Sequence, residues 1–377
     1  MKTKKDKKEK KNNKQKLIIA AIAAIIAVNA LYLTVVYSSS DFISYWRTVW
    51  IETAMTTKSH QWLATWLFPQ SIIDEVMAGH DDAMDVVGGM DSLVKPEEPE
   101  DTSKDDTGHA QAPEDILNQR FLTVGGYDYA GNEIVINDIE EGILVSAIEG
   151  PSYKGRIMLV DDPSRVYIGM TKYPGVTGMR ILEMMEAYGA VAGVNASGFS
   201  DPGDNGNGGE VLGMSLSRGT YWGSYVTFYG SIVLTTDDKL VVGNINNWEE
   251  YGNIRDGMQF RPVLIANGEK MIEGSAGYGI QPRTAVGQRE DGVMVFLNID
   301  GRDITYSIGC TVGDMADIML SYGVINASSC DSGATSVIAY KGEVITRNCS
   351  LHPDLGRILP NAFLVEPKNR TDSTENN

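Results

Sequence analysis

Five charged residues sit on glycine-punctuated turns late in a chain of 377 residues: Arg283, Asp300, Arg302, Asp331 and Arg357. Their settings read Pro-Arg-Thr-Ala-Val-Gly (282–287), Ile-Asp-Gly-Arg (299–302), Cys-Asp-Ser-Gly-Ala-Thr-Ser (330–336) and Gly-Arg-Ile-Leu-Pro-Asn-Ala (356–362). Each charge abuts an apolar run, which places it at a strand end rather than on a free surface. Three guanidinium groups and two carboxylates held this way suit an anionic, oxygen-rich ligand such as a sugar phosphate, because the planar guanidinium fork matches phosphate oxygens and does not titrate. Asp331 is the strongest single candidate. A carboxylate on a Ser/Gly turn can act as a base or position a ligand, the hydroxyls of Ser332, Thr335 and Ser336 lie close by, and the N–H groups around Gly333 can form an anion nest. The competing reading is an Asp that satisfies its own turn and arginines held in structural ion pairs, Asp300 with Arg302 or Arg283 with Asp331.

Two stretches share one text. Thr177–Tyr188 reads as a helix stopped by Gly189, then a short apolar strand, then Asn195-Ala-Ser-Gly-Phe199. Val312–Tyr322 reads as a helix capped by Thr311 and stopped by Gly323, then an apolar strand and Asn326-Ala-Ser-Ser-Cys-Asp331. Both strands would deliver polar residues to a cleft at their ends, so Asn195, Ser197 and Gly198 join the candidate ligand set, although an Asn/Ser turn closing its own backbone is the plainer alternative. Met315, Ile318, Met319 and Tyr322 follow the spacing of a buried helical stripe.

The bulk numbers bound the rest. The net charge is −18, but residues 1–16 carry nine Lys against Asp6 and Glu9, so the other 361 residues carry −25. A folded part this acidic repels nucleic acid. Leu17–Tyr37 is apolar and of a length that crosses a bilayer, with a cleaved secretory signal as the alternative. The lysine block then stays cytoplasmic and the remainder lies outside. Residues 41–78 read as membrane-proximal helices with Trp46, Trp50, Trp62 and Trp66 as two i,i+4 pairs. Residues 79–115 have the composition of an acidic flexible linker, 116–366 form the globular domain, and 367–377 are a polar tail. Alternating apolar runs with Gly, Asn and Asp turns predict an α+β fold: a mixed β-sheet core with a few packed helices behind an N-terminal transmembrane helix and helical stalk.

Three cysteines, Cys310, Cys330 and Cys349, allow one disulfide and one free thiol outside a membrane; Cys330 beside Asp331 is a conceivable nucleophile, with a small buried Cys the more ordinary reading. Scattered histidines give no zinc pattern and no cofactor is required. The loop with Asp201, Asp204, Asn205, Asn207 and Glu210 has oxygen ligands at a spacing that could take Ca²⁺, or is a solvated loop. Asn-x-Ser/Thr sequons fall at 195, 326, 348 and 369.

Together these motifs resemble the phosphodiester glycosidase family over roughly 140–366. The marks are Gly193-Val-Asn195-Ala-Ser-Gly-Phe199, Pro282-Arg283-Thr284-Ala-Val-Gly287, Asp300-Gly301-Arg302, Cys330-Asp331-Ser-Gly333 and Arg357 before Pro360-Asn361-Ala362. The family's usual Asn-Gly-Gly-Phe-Phe and Asn-Leu-Asp-Gly-Gly-Gly-Ser-Ser-Thr are altered here. The resemblance implies a hydrolase acting on a sugar-1-phosphodiester in envelope or exopolysaccharide-type polymers. Arg283, Arg302 and Arg357 would face phosphate, Asp331 the sugar carbon, Asp300 would be a second carboxylate or orient Arg302, and Asn195 and Ser197 would hold hydroxyls. A non-catalytic glycan-binding module that assists polysaccharide assembly is the alternative.

Overall fold

A computed structural model describes residues 4–57, 60–78, 119–200 and 206–368. The expected linker 79–115, most of the polar tail, and Asp201, Asp204, Asn205 and Asn369 lie outside the described residues. The chain forms two compact units, Met1–Met77 and Ala78–Asn377.

In the first unit a helix runs Lys4–Tyr37, and its Asn13–Tyr37 portion, with mean hydropathy 2.4, is long and apolar enough to cross a membrane. Arg47, on the following helix Asp41–Met55, donates to the carbonyls of Val36 (2.9 Å) and Ser38 (3.0 Å), so a cation closes the orphan carbonyls at the first helix's C-terminus. Val36, Ile51, Ala54, Ala64, Phe68 and Ile73 make a small core. Trp62 and Trp66 stack edge to face at 6.1 Å, as their spacing predicts. Trp46 instead meets Phe42 and Tyr45. All four tryptophans remain largely exposed.

Among the described residues the second unit holds three sheets, and every strand pair in them is antiparallel, so the mixed core read from the sequence is α+β with antiparallel sheets. The eight-stranded sheet has at its centre Arg283–Arg289, paired with Met294–Ile299 on one side and Val324–Ser329 on the other. One face packs under helix Val312–Ser321, with Leu264, Ala285, Val295 and Leu297 against Met315, Ile318 and Met319, which confirms the helical stripe as core. The other face, with Val145, Met158, Val286 and Phe296, meets side chains of the two five-stranded sheets, such as Val194 and Phe363 from one and Ile232 and Met258 from the other. Alternate residues of each strand thus enter different cores, and every residue from Arg283 to Arg289 is buried.

Helix Val312–Ser321 starts where expected: the Thr311 hydroxyl accepts from Asp314 N (3.1 Å) and the Asp314 carboxylate accepts from Thr311 N (2.9 Å). The other helix is shorter than the sequence reading. It spans Ile181–Tyr188, because Thr177–Arg180 is drawn into extended pairing, with Met179 N donating to the Leu359 carbonyl at 2.9 Å. Gly189 ends it in the left-handed region at φ 65°, as its position predicts. All three cysteines are unpaired, with Cys310 and Cys330 fully buried, so the disulfide that their number allows does not form. Burial also pushes the Cys330 thiol well above its ordinary range, which leaves it a core residue rather than a nucleophile. The sequon asparagines Asn195, Asn326 and Asn348 are buried and closed to glycosylation.

Candidate functional site

The two stretches of similar text meet. The strand Ala192–Asn195 and the strand Val324–Ser329 belong to different sheets, yet their polar turns are bolted together. Asp331 N donates to the Ala196 carbonyl at 2.9 Å, and the Asn195 amide donates to the Asp331 carbonyl at 2.7 Å. The Asn195 side-chain oxygen accepts from the Thr284 hydroxyl (2.9 Å) and from Val337 N (3.0 Å), and Asn298 donates to that same hydroxyl at 3.0 Å. Asn195 is fully buried and ties three strands, so in this structure it positions Asp331 rather than facing a ligand. Asn195→Ala would leave two buried donors without an acceptor. We expect it to lower unfolding free energy by roughly 2–4 kcal/mol in urea titrations.

Asp331 opens a tight turn. Its carboxylate accepts from Ser332 N at 3.0 Å, Gly333 N donates to the Pro282 carbonyl at 3.0 Å, and the Thr335 hydroxyl donates to the Ser332 carbonyl at 2.9 Å. Gly333 has φ 80°, and a β-carbon there would lie 2.9 Å from a guanidinium nitrogen of Arg302. A side chain at this position would therefore be strained and would push the arginine away. Arg302, itself left-handed at φ 62°, is exposed and is held by the Gln281 side-chain oxygen at 3.0 and 3.3 Å. A non-glycine residue in that region costs on the order of 1 kcal/mol, and such costs concentrate at functional sites.

Arg283 stands behind. It is 5% exposed, and its donors go to the carbonyls of Tyr278 (2.7 Å), Gly279 (2.8 Å) and Cys310 (3.4 Å), with no carboxylate partner among the described residues. Burial, with the like charge of Arg302 nearby, brings its guanidinium down to about 10, so it stays cationic at neutral pH. Arg357 lies over the Phe199 ring at 4.9 Å, and Phe199 follows Gly198, where an added β-carbon would sit 4.0 Å from the Asp331 carboxylate. Arg302 thus meets the Asp331 turn at Gly333, whereas Arg283 spends its donors on backbone carbonyls and Arg357 lies over Phe199. Among the described residues, neither ion pair of the competing reading, Asp300 with Arg302 or Arg283 with Asp331, forms.

Asp300 turns elsewhere. Its carboxylate accepts from Arg347 N (2.9 Å) and the Tyr306 hydroxyl (3.1 Å), so it buttresses that loop rather than orienting Arg302. Burial raises it to about 6 from an ordinary 3.8, against the opposing pull of those donors and of Arg156 and Arg347. A raised carboxyl stabilises the fold in its protonated form. That contribution is complete below about pH 4 and is lost as pH rises through about 6, an effect of roughly 3 kcal/mol. Asp300→Asn should flatten the stability profile across pH 4–6, read by urea midpoints at several pH values.

The remaining candidates are packed inward. The Ser197 hydroxyl is 1% exposed and accepts from Asn361 (2.9 Å), which also donates to Ser215 (3.0 Å). Ser332 donates to the Cys330 carbonyl at 3.0 Å, and the Ser336 hydroxyl is buried without a hydrogen-bond partner among the described residues. Asn207, from the proposed Ca²⁺ loop, donates its amide to the Val176 carbonyl (2.6 Å), and its side-chain oxygen accepts from Gly209 N (3.1 Å). Among the described residues no cluster of three His, Cys, Asp or Glu could hold a metal ion.

Sequence reasoning missed Tyr229, Phe260, Arg261, Tyr278 and Gln281. Burial raises the Tyr229 phenol, against the pull of Arg261 and with the help of Asp331. Burial likewise pushes Tyr278 up to about 12, with Arg261 and Arg283 opposing. These groups share one electrostatic neighbourhood with Asp331. The Pro282-Arg283 motif flags Gln281 and Tyr278 only by proximity, and Tyr229 and Arg261 carry no local signal.

The SPbeta prophage-derived protein YomE of Bacillus subtilis (strain 168) is 29% identical over 206 residues, 49% of this chain and 29% of that protein. The chain therefore spans less than a third of that relative's length. The catalytic domain of zebrafish N-acetylglucosamine-1-phosphodiester alpha-N-acetylglucosaminidase, auto-inhibited by its pro-peptide, aligns with TM-score 0.48 and 17% identity over 60% of this chain and 82% of that one. A hypothetical protein from Synechocystis aligns with TM-score 0.45 and 13% identity over 62% and 63%. Residues 188–366, just under half of the chain and all within the second unit, match the family model described as phosphodiester glycosidase.

Proposed function

We propose that the second unit hydrolyses a sugar-1-phosphodiester between the anomeric carbon and the phosphate oxygen. The observation that carries this reading is the meeting of Arg302 with the Asp331 turn across Gly333. As the C1–O bond breaks, positive charge grows on the sugar ring and negative charge on the departing phosphate. Arg302 takes the phosphate directly, Arg357 flanks it, and Arg283 adds charge from the buried side. Asp331 takes a proton from the water that adds at C1, and the products are the free sugar and a phosphate monoester. A phosphate leaves without prior protonation, so charge neutralisation outweighs acid catalysis here.

The apolar helix anchors the chain with its lysine-rich start in the cytoplasm, so that the domain faces outward to envelope glycopolymers such as exopolysaccharide or teichoic-acid-like chains. The test is to incubate the full chain, in detergent, with the methyl ester of α-N-acetylglucosamine 1-phosphate and to measure free reducing sugar. Sugar release supports the reading; tight binding of the ester without any release would assign the domain to glycan capture instead.

A further inference from the structure

Beside Asp331 lies a ledge that the chemistry above does not use. A β-carbon at Gly198 would sit 3.2 Å from the Phe260 ring and 4.0 Å from the Asp331 carboxylate, so the ring edge and the carboxylate meet at this glycine. From Phe260 the aromatic surface runs outward, to Tyr229 at 5.8 Å between centroids and then to Phe228 at 5.0 Å. Phe228 is 49% exposed. Arg261 lies over both outer rings, 4.9 Å from Phe228 and 5.4 Å from Tyr229. Its guanidinium has no hydrogen-bond or carboxylate partner among the described residues, so a stacked cation keeps its N–H groups unspent.

The ledge is built rather than incidental. Its outer rings stand on the turn between strands Thr220–Gly223 and Gly230–Thr235. The fully buried Gln259, next to Phe260, pins that turn: its side-chain oxygen accepts from Val226 N (2.9 Å) and Met214 N (3.1 Å), and its amide donates to the Val226 carbonyl (3.1 Å). Exposed aromatic rings pack on the C–H faces of pyranose rings, and a guanidinium stacked on a ring offers its planar fork edge-on to an anion.

We infer that Phe228, Tyr229, Phe260 and Arg261 form an aglycone subsite, which takes a second sugar ring bearing a carboxylate or phosphate. This inference rests on the phosphodiester glycosidase reading and names its substrate class: a glycosyl phosphate whose leaving group continues as an anionic glycan, not a small alcohol.

The test compares two esters of α-N-acetylglucosamine 1-phosphate on the full chain: the methyl ester, and an ester to a glucuronic-acid-containing disaccharide. The wild-type protein should favour the disaccharide ester by about tenfold or more in kcat/KM, the scale of one charge-assisted contact plus one stacked ring. Arg261→Ala and Phe228→Ala should each collapse most of that ratio. Because both substrates are measured on one preparation, the ratio does not depend on the folded fraction. Turnover of both esters without a preference, or equal losses on both in the variants, overturns the subsite while leaving the hydrolase reading in place. Failure of the wild-type chain to cleave either ester overturns the hydrolase reading, and the subsite with it.

Discussion

Asp331→Asn should reduce turnover of a sugar-1-phosphodiester by about a thousandfold, on the order of 4 kcal/mol in the barrier, the upper range for a positioned base or charge stabiliser. The substitution keeps the shape of the turn. An Asn side chain can still accept from Ser332 N, and the backbone bonds from Asp331 N to Ala196 and from Asn195 to the Asp331 carbonyl do not involve the carboxylate. Stability should therefore change by less than about 1 kcal/mol, well below the effect on rate. Single-turnover kinetics with matched urea titrations separate the two. Turnover within threefold of wild type would remove Asp331 from the chemistry.

Arg302→Ala should lower kcat about a hundredfold or more, with a smaller change in KM, because the charge it meets grows mainly in the transition state. Arg302→Lys should recover little. The arginine spans from the Gln281 oxygen to the face of Gly333, and an ammonium cannot serve both with one planar fork. A paired effect is expected at Gly333→Ala, where the added carbon displaces the same guanidinium and the backbone is strained at φ 80°. If Arg302→Ala raises KM alone and leaves kcat intact, its role is uniform binding rather than catalysis.

Local patterns made part of this architecture legible. Thr311, Asp314 and the Met315–Tyr322 stripe fix one helix because cap and periodicity act within a few residues of each other. Arg283, Arg302 and Asp331 stood out because glycine-punctuated turns at strand ends leave few other uses for a charge. The shortened start of the other helix was not legible, because Met179 pairs with Leu359 far along the chain. Asn195 shows the same limit. Its text is that of a simple turn, and only the fold brings Thr284 and Val337 to its side chain. Asp300 looked like a partner for Arg302 two residues away, yet its acceptors went to Arg347 and Tyr306. The strands around the aromatic ledge were less legible. Met214–Ser217 and Thr220–Gly223 are short and mix polar with apolar residues, and Phe260 and Arg261 reach the site through pairings specified across the sheet.

The central claim is that the bond broken joins the anomeric carbon to the phosphate oxygen, with Asp331 serving the sugar and the arginines serving the phosphate. Hydrolysis of the methyl ester of α-N-acetylglucosamine 1-phosphate in ¹⁸O-labelled water tests it directly by mass spectrometry of both products. The account predicts the label in the C1 hydroxyl of the released sugar and none in the phosphate. Label in the phosphate product would show cleavage at phosphorus and would contradict it.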